Sequence, residues 1–269
     1  MMDIRVAGNA GTFYPAQPKE IEKLITFFNN LLKDAKNIQD KLAIVPQAII
    51  SPHAGYIYSG FTANIAHKLL AKNKELKRIV VIGPSHHVYF EGISGSFFKE
   101  YQTPLKNLPI DLEYLALMKK LFNLTFIPRA HELEHSTETQ MPFIAHYKSD
   151  IKVIELIYGK TSYHEVAKIV QWLLEDKLTG VVISSDLSHF YNLERAHMLD
   201  AICLEGVAKE DNDIIDLGCE ACGIVGIKAI IKSAKELGFK SEVLDYRTSA
   251  DVTKDKQRVV GYMSAAFYK

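Results

Sequence analysis

Short runs rich in valine and isoleucine recur along this chain, each separated from the next by a stretch whose apolar residues repeat at helical spacing. The runs fall at 47–50, 78–83, 151–157 and 180–184, and helical patterns lie between them at 61–70, 112–121 and 165–174. Strands joined through helices need crossover connections, which set neighbouring strands parallel and cover both faces of the sheet. The expected fold class is α/β, with a mainly parallel central sheet and helices on both faces. An amphipathic helix is expected from Pro18 onward, where Ile21, Leu24, Ile25, Phe28, Leu31 and Leu32 follow helical spacing and proline sits in a tolerated first-turn position. Toward the C-terminus, 224–237 reads as another buried helix, and 242–246 and 259–267 as two last strands. No Pro/Gly/Ser-rich linker interrupts the pattern, so residues 1–269 read as a single domain.

Charge narrows the function classes. The 32 basic and 32 acidic residues cancel, so no overall field recruits nucleic acid or anionic lipid. No apolar run approaches the roughly 18 residues of a membrane span, and the start MMDIRVAGNAG has no signal-peptide character. A cytoplasmic protein without nucleic-acid or membrane partners is expected. Three cysteines, Cys203, Cys219 and Cys222, make no closed disulfide framework, and a chain of this size needs none.

The histidines are more telling. Three strand-like runs lead directly into polar loops: AII into SPHAGYIYSG with His53, RIVVIG into PSHH with His86 and His87, and GVVISS into DLSHF with Asp186 and His189. In an open parallel sheet, ligands bind beyond the carboxyl ends of the strands, so these loops should share one rim. Two neutral imidazoles plus one anionic ligand make a site for iron, copper or zinc. The residues leave the anion open among Asp186, Glu138, Cys219 and Cys222. Cys222 precedes Gly223 and a helix, where backbone amides favour a thiolate; the Cys219/Cys222 spacing also suits a disulfide between the two. His135 and Glu138, three apart on a short helix, can both face the rim. Tyr56 and Tyr58 alternate after His53 as a pocket wall or as core. His67, His146, His164 and His197 read as structural, and His131 as a loop residue without an evident partner.

The motifs GTFYP, SPHAGYIYSG, GPSHH, EHSTETQMPF, SSDLSHF, ACG and TSADVTKDKQRVVGYMSAA occur in that order between residues 7 and 267. In sequence and order they resemble the Memo family, whose bacterial and archaeal members are called AmmeMemoRadiSam system protein B. The resemblance implies a fold like that of the class III extradiol dioxygenases. It places His53, His86 and Cys222 at a metal, with iron(II) first and copper or zinc as alternatives, and Asp186 and His189 close by. Ring-cleaving dioxygenases use a glutamate where this chain presents Cys222, and the softer, oxidisable thiolate changes the chemistry expected. Cys219 is a further thiol able to resolve an oxidised Cys222 as a disulfide. The activity implied is a mononuclear metal oxidoreductase in which His189 moves protons and Asp186 orients it. The alternative is a non-catalytic metal-binding or protein-interaction module on the same fold. Expected partners are a small molecule or peptide in the metal pocket, and radical SAM and AMMECR-type proteins of the same system.

Overall fold

The computed structural model describes residues 3–148 and 150–269. Its strands are β1 (Ile4–Arg5), β2 (Ala48–Ser51), β3 (Arg78–Pro84), β4 (Ile93–Gly95), β5 (Glu100–Tyr101), β6 (Leu108–Pro109), β7 (Lys152–Tyr158), β8 (Thr179–Ser184), β9 (His189–Tyr191), β10 (Lys240–Thr248) and β11 (Val259–Tyr268). The helices are α1 (Pro18–Asp34), α2 (Tyr56–Leu70), α3 (Leu112–Phe122), α4 (Pro128–Glu132), α5 (His135–Glu138), α6 (Met141–Tyr147), α7 (Tyr163–Glu175), α8 (Leu193–Ala208), α9 (Asn212–Ile215), α10 (Ile224–Leu237) and α11 (Ala250–Thr253).

The large sheet runs in the order β10-β11-β2-β8-β3-β7-β4, with β9 paired to β11. Its centre, β2-β8-β3-β7, is parallel as the alternation requires. The flanks are antiparallel: β10 on β11, β11 on β2, and β4 on β7. The sheet is therefore mixed, with the parallel strands inside. Between β10 and β11 the chain has only residues 249–258, which hold the four-residue helix α11. That connection is too short for a covering helix, so the second strand returns antiparallel.

Every residue of β8 is buried, which is why the parallel strands read as continuous apolar runs and not as alternating ones. Alternate residues still address opposite faces. Ile183 packs at Gly226 of α10, and Gly180 lies against Leu70 of α2. Ser184, on the Gly180 face, meets Gln140 and the Ser136 carbonyl. Helices thus cover both sides, and one apolar cluster joins Ile25 and Phe28 of α1, the central strands, and Ile227 and Ile230 of α10. α1 buries Ile21, Ile25, Phe28 and Leu32 as its spacing predicts, while Leu31 is exposed.

The second helix begins earlier than its apolar pattern, at Tyr56. Tyr56 is core: it is buried, stacks on Phe143 and donates to the Thr139 carbonyl. Two glycines set the rim. A Cβ at Gly83 would come within 2.6 Å of Ser136 Oγ, so only glycine lets α5 lie this close to the end of β3. A Cβ at Gly223 would meet Ser185 Cβ at 2.5 Å, so glycine also brings the start of α10 onto the end of β8. Among the described residues, no helix is long and apolar enough to cross a membrane.

Candidate metal centre

Adjacent parallel strands β2, β8 and β3 end at Ser51, Ser184 and Pro84, and the chain beyond each carries His53, Asp186 and His86 to one rim. The ring centroids of His53 and His86 are 5.2 Å apart. α5 adds a third ring, with His135 centred 5.4 Å from His53 and 4.4 Å from His86. One ring nitrogen from each of the three lies within 4.8 Å of the others. His53 is buried, His135 is half-buried and His86 opens to solvent.

Hydrogen bonds decide which nitrogen of each ring is free. Ser184 Oγ donates to the Ser136 carbonyl, so it can only accept at His53 Nδ1, 2.9 Å away. His53 Nδ1 therefore carries the proton, and Nε2 presents its lone pair to the rim. Glu134 does the same for His86: one carboxylate oxygen accepts from His86 Nδ1 at 2.8 Å and the other from the His86 backbone N–H at 2.6 Å. Oriented carboxylates and hydroxyls behind a histidine are the usual outer support of metal-binding imidazoles. His135 Nδ1 is buried without a hydrogen-bond partner and stands 3.6 Å from Glu134, while its ring stacks on Phe13.

Electrostatics keep His53 and His135 uncharged. Burial, then the neighbouring His86, holds His53 well below the usual imidazole range. Burial, followed by His53 and His86, presses His135 down to about 3. Burial alone would raise Glu134, but the hydrogen bonds it accepts from the His86 ring and from the His86 and Ser136 backbone amides bring it down to about 2. A neutral imidazole is the form that binds metal, and an ionised carboxylate behind it strengthens the donor.

Cys222 Sγ lies 3.2 Å from His53 Nε2 and 3.6 Å from the Asp186 carbonyl oxygen, the two acceptors within reach of its thiol. The Asp186 backbone N–H donates to the same sulfur at 3.3 Å. Tetrahedral donors at about 2.0 Å for nitrogen and about 2.3 Å for sulfur stand roughly 3.5 Å apart, so this pair is already spaced for one ion. The three imidazole nitrogens, which would stand roughly 3.3 Å apart around one ion, need to close by up to about 1.5 Å to share it. The start of α10 does not by itself make Cys222 a thiolate: burial and the Asp186 carboxylate push the thiol up to about 12, against the amides and the Ser185 hydroxyl that face the sulfur. A cation at Nε2 reverses that balance, because a coordinated thiol is deprotonated.

The Asp186 carboxylate accepts the His53 backbone N–H at 2.7 Å, and burial raises its pKa despite that bond. It holds the His53 loop, and no hydrogen bond joins it to the His189 ring. His189 starts β9, is half-buried, and lines a cleft of about 370 Å³ together with Leu187, Cys219 and Cys222.

Three expectations are corrected. Glu138 faces away from the rim, where its oxygens take Arg5, Tyr14 and the Gly8 and Asn9 amides. His131 has partners, Glu155 at 2.7 Å and Ser94 at 2.8 Å, contributed by strands distant in sequence. Cys219 is bonded to Cys203 of α8, with their Cα atoms 4.8 Å apart, so a disulfide exists where none was expected and Cys222 is the free thiol. Sequence reasoning missed Glu134 and Ser184 as supports of the rim. The only signal for Glu134 is its place beside His135.

The Memo-like protein family model matches residues 5–266. MEMO1 family proteins from Archaeoglobus fulgidus and Aquifex aeolicus are 31% and 32% identical to this chain, over 96% and 99% of it and 97% and 100% of the relatives. A MEMO1 family protein from Methanococcus vannielii is 33% identical over 94% of this chain and 95% of its own length. Matched at this identity from one end to the other, the chain belongs to the Memo-like protein family.

Proposed function

We propose that the rim is the centre of a mononuclear metal-dependent oxidoreductase, with iron(II) as the first choice of metal and copper the second. The observation that carries this reading is the orientation of two histidines, His53 and His86, whose Nδ1 protons are committed to Ser184 and Glu134 so that both Nε2 lone pairs face the rim. A metal would be held between His53 Nε2 and Cys222 Sγ, 3.2 Å apart, in place of the thiol proton. Cys222 supplies the anionic donor, and His135 Nδ1, unpartnered in the metal-free protein, stands ready as a third nitrogen. Bound iron would supply one-electron chemistry and Lewis acidity at a site with positions left for a substrate.

The remaining chemistry belongs to side chains. Glu134 holds the His86 ring in one tautomer and keeps its basicity high. Asp186 fixes the His53 loop through its backbone and adds negative charge beside the sulfur. His189, half-exposed in the cleft shared with Cys222, accepts a proton from a bound substrate at a ring nitrogen and passes it to solvent. The substrate is a small molecule or a peptide side chain, admitted at the open His86 edge.

Metal content of anaerobically purified protein, followed by oxygen uptake of the iron(II)-loaded form, tests the reading. Stoichiometric iron with oxygen consumption supports it. Tight metal binding without oxygen or reductant turnover supports a binding module on the same fold. In an active preparation, His189→Gln should lower turnover by roughly 10²- to 10⁴-fold with metal content unchanged; joint loss of metal would make His189 a ligand.

A further inference from the structure

The three cysteines are placed for more than one pairing. Residues 216–223, between α9 and α10, carry both Cys219 and Cys222, with only Glu220 and Ala221 between them. Both sulfur-bearing residues line the same open cleft, beside Leu187 and His189. Cys219 holds a disulfide to buried Cys203, and Cys222 holds its thiol against His53 Nε2. At the start of this segment Gly218 adopts φ +139°, a backbone conformation open to glycine, and Leu217 and Glu220 are exposed. A disulfide and a free thiol three residues from it, on one short segment lining an open cleft, are the components of an intramolecular thiol–disulfide exchange.

We propose that Cys203, Cys219 and Cys222 form a thiol–disulfide switch that couples the disulfide pairing to occupancy of the metal centre. In the exchange Cys222 Sγ attacks Cys219 Sγ. The Cys219–Cys222 bond forms as the Cys203–Cys219 bond breaks. Cys222 gives up its proton to solvent in the cleft, and Cys203 leaves as a thiolate and takes one up. One disulfide and one thiol stand on each side, so no oxidant or reductant is consumed. The released Cys203 lies fully buried, where a neutral thiol behaves as a small apolar side chain.

The two pairings differ at the metal centre. With Cys203 bonded to Cys219, Cys222 is free to ligate; with Cys219 bonded to Cys222, the rim keeps only its imidazoles. Metal bound through Cys222 therefore selects the first pairing by mass action. This coupling rests on the proposed role of Cys222 as a metal ligand, whereas the exchange itself does not. Cys203 acts as the partner that keeps Cys219 off Cys222.

The test uses the full chain under nitrogen at pH 8 with a trace of reduced glutathione to equilibrate pairings, in chelator or in zinc, which is redox-inert. Free thiols are then blocked with N-ethylmaleimide and disulfides are mapped by peptide mass spectrometry. Chelator should yield a population with Cys203 blocked and Cys219 linked to Cys222. Zinc at a hundredfold excess over its Kd should shift the ratio of pairings toward Cys203–Cys219 by at least about 10-fold, and by about 100-fold if the imidazoles alone bind none. In Cys203→Ser, mild oxidation should link Cys219 to Cys222 and weaken zinc binding, and reduction by a phosphine should restore it. The exchange is overturned if Cys203 never reacts in chelator while Cys222 always does, or if oxidised Cys203→Ser retains two reactive thiols. Exchange without any zinc binding would instead remove the metal-centre reading and leave the switch standing.

Discussion

Two polar clusters lie on either side of α5, and they are built on opposite principles. On one side Arg5, Glu138, Glu155, His131, Tyr14 and Tyr101 answer one another. Arg5 pairs with Glu138 at 2.9 Å, and Glu155 accepts from His131, Tyr101 and Thr137. Only Arg5 Nε lacks a hydrogen bond, 3.9 Å from Glu155. On the other side ring nitrogens of His53, His86 and His135 gather within 4.8 Å of one another, Cys222 Sγ reaches the cluster through His53 Nε2, and His135 Nδ1 is unanswered. The first cluster locks the N-terminal segment to the core, and the second holds donors in reserve for a ligand. α5 links them, since Thr137 and Glu138 serve the closed cluster while His135 serves the open one. A saturated buried network reads as structure, and one with aligned, unused donors reads as a site.

The largest effect should come from opening the closed cluster. Arg5→Ala leaves Glu138 and Glu155 buried without their cation and should cost about 3 to 5 kcal/mol in urea denaturation. Stability near that of the parent would show that these charges are not held as described. At the rim the order reverses. His86→Ala should leave the urea midpoint close to the parent's, because the ring is open to solvent, yet weaken zinc binding by more than about 100-fold, beyond what outer-support changes cost. Unchanged affinity by competition titration would remove His86 from the centre.

Glu134 lies behind the rim, and Glu134→Gln sharpens the distinction between donor and support. Zinc affinity should drop by about 10- to 100-fold, because the neutral amide holds the His86 tautomer less firmly. A loss as large as that of His86→Ala would make Glu134 itself a ligand.

The smallest effect is a slope. In the metal-free protein the folded-state values of His135, about 3, and His67, about 4, lie below the ordinary 6.5, both through burial first. As pH falls below 6.5 the unfolded chain takes up protons that the folded one refuses, so each of these histidines should lower stability by about 1.4 kcal/mol per pH unit, ending near pH 4 for His67 and near pH 3 for His135. Glu155 runs later: burial would raise it, but His131 and Arg5 hold it down to about 2. Its contribution is complete above about pH 4.5 and lost as pH falls toward 2. Urea midpoints at pH 7, 5.5 and 4.5 should therefore decline before the carboxylates titrate. A flat profile between pH 7 and 5 would mean that the rings are charged in the folded state.

How much of this was legible depended on distance along the chain. Alternating apolar periods determined the parallel centre of the sheet and the helices on both faces, because periodicity is a local property that each segment states for itself. The ends of β2, β3 and β8 likewise placed His53, His86 and Asp186 on one rim, since parallel neighbours share a direction. The antiparallel flanks, the Cys203–Cys219 bond and the burial of Glu138 away from the rim were decided only in the folded molecule. So were the groups that turn histidines into donors: Glu134 reaches His86 across 48 residues, Ser184 reaches His53 across 131, and Cys222 reaches His53 across 169. No spacing rule joins positions so far apart. Their meeting follows from how helices pack on the finished sheet, and that packing is a property of the whole chain and not of any segment within it.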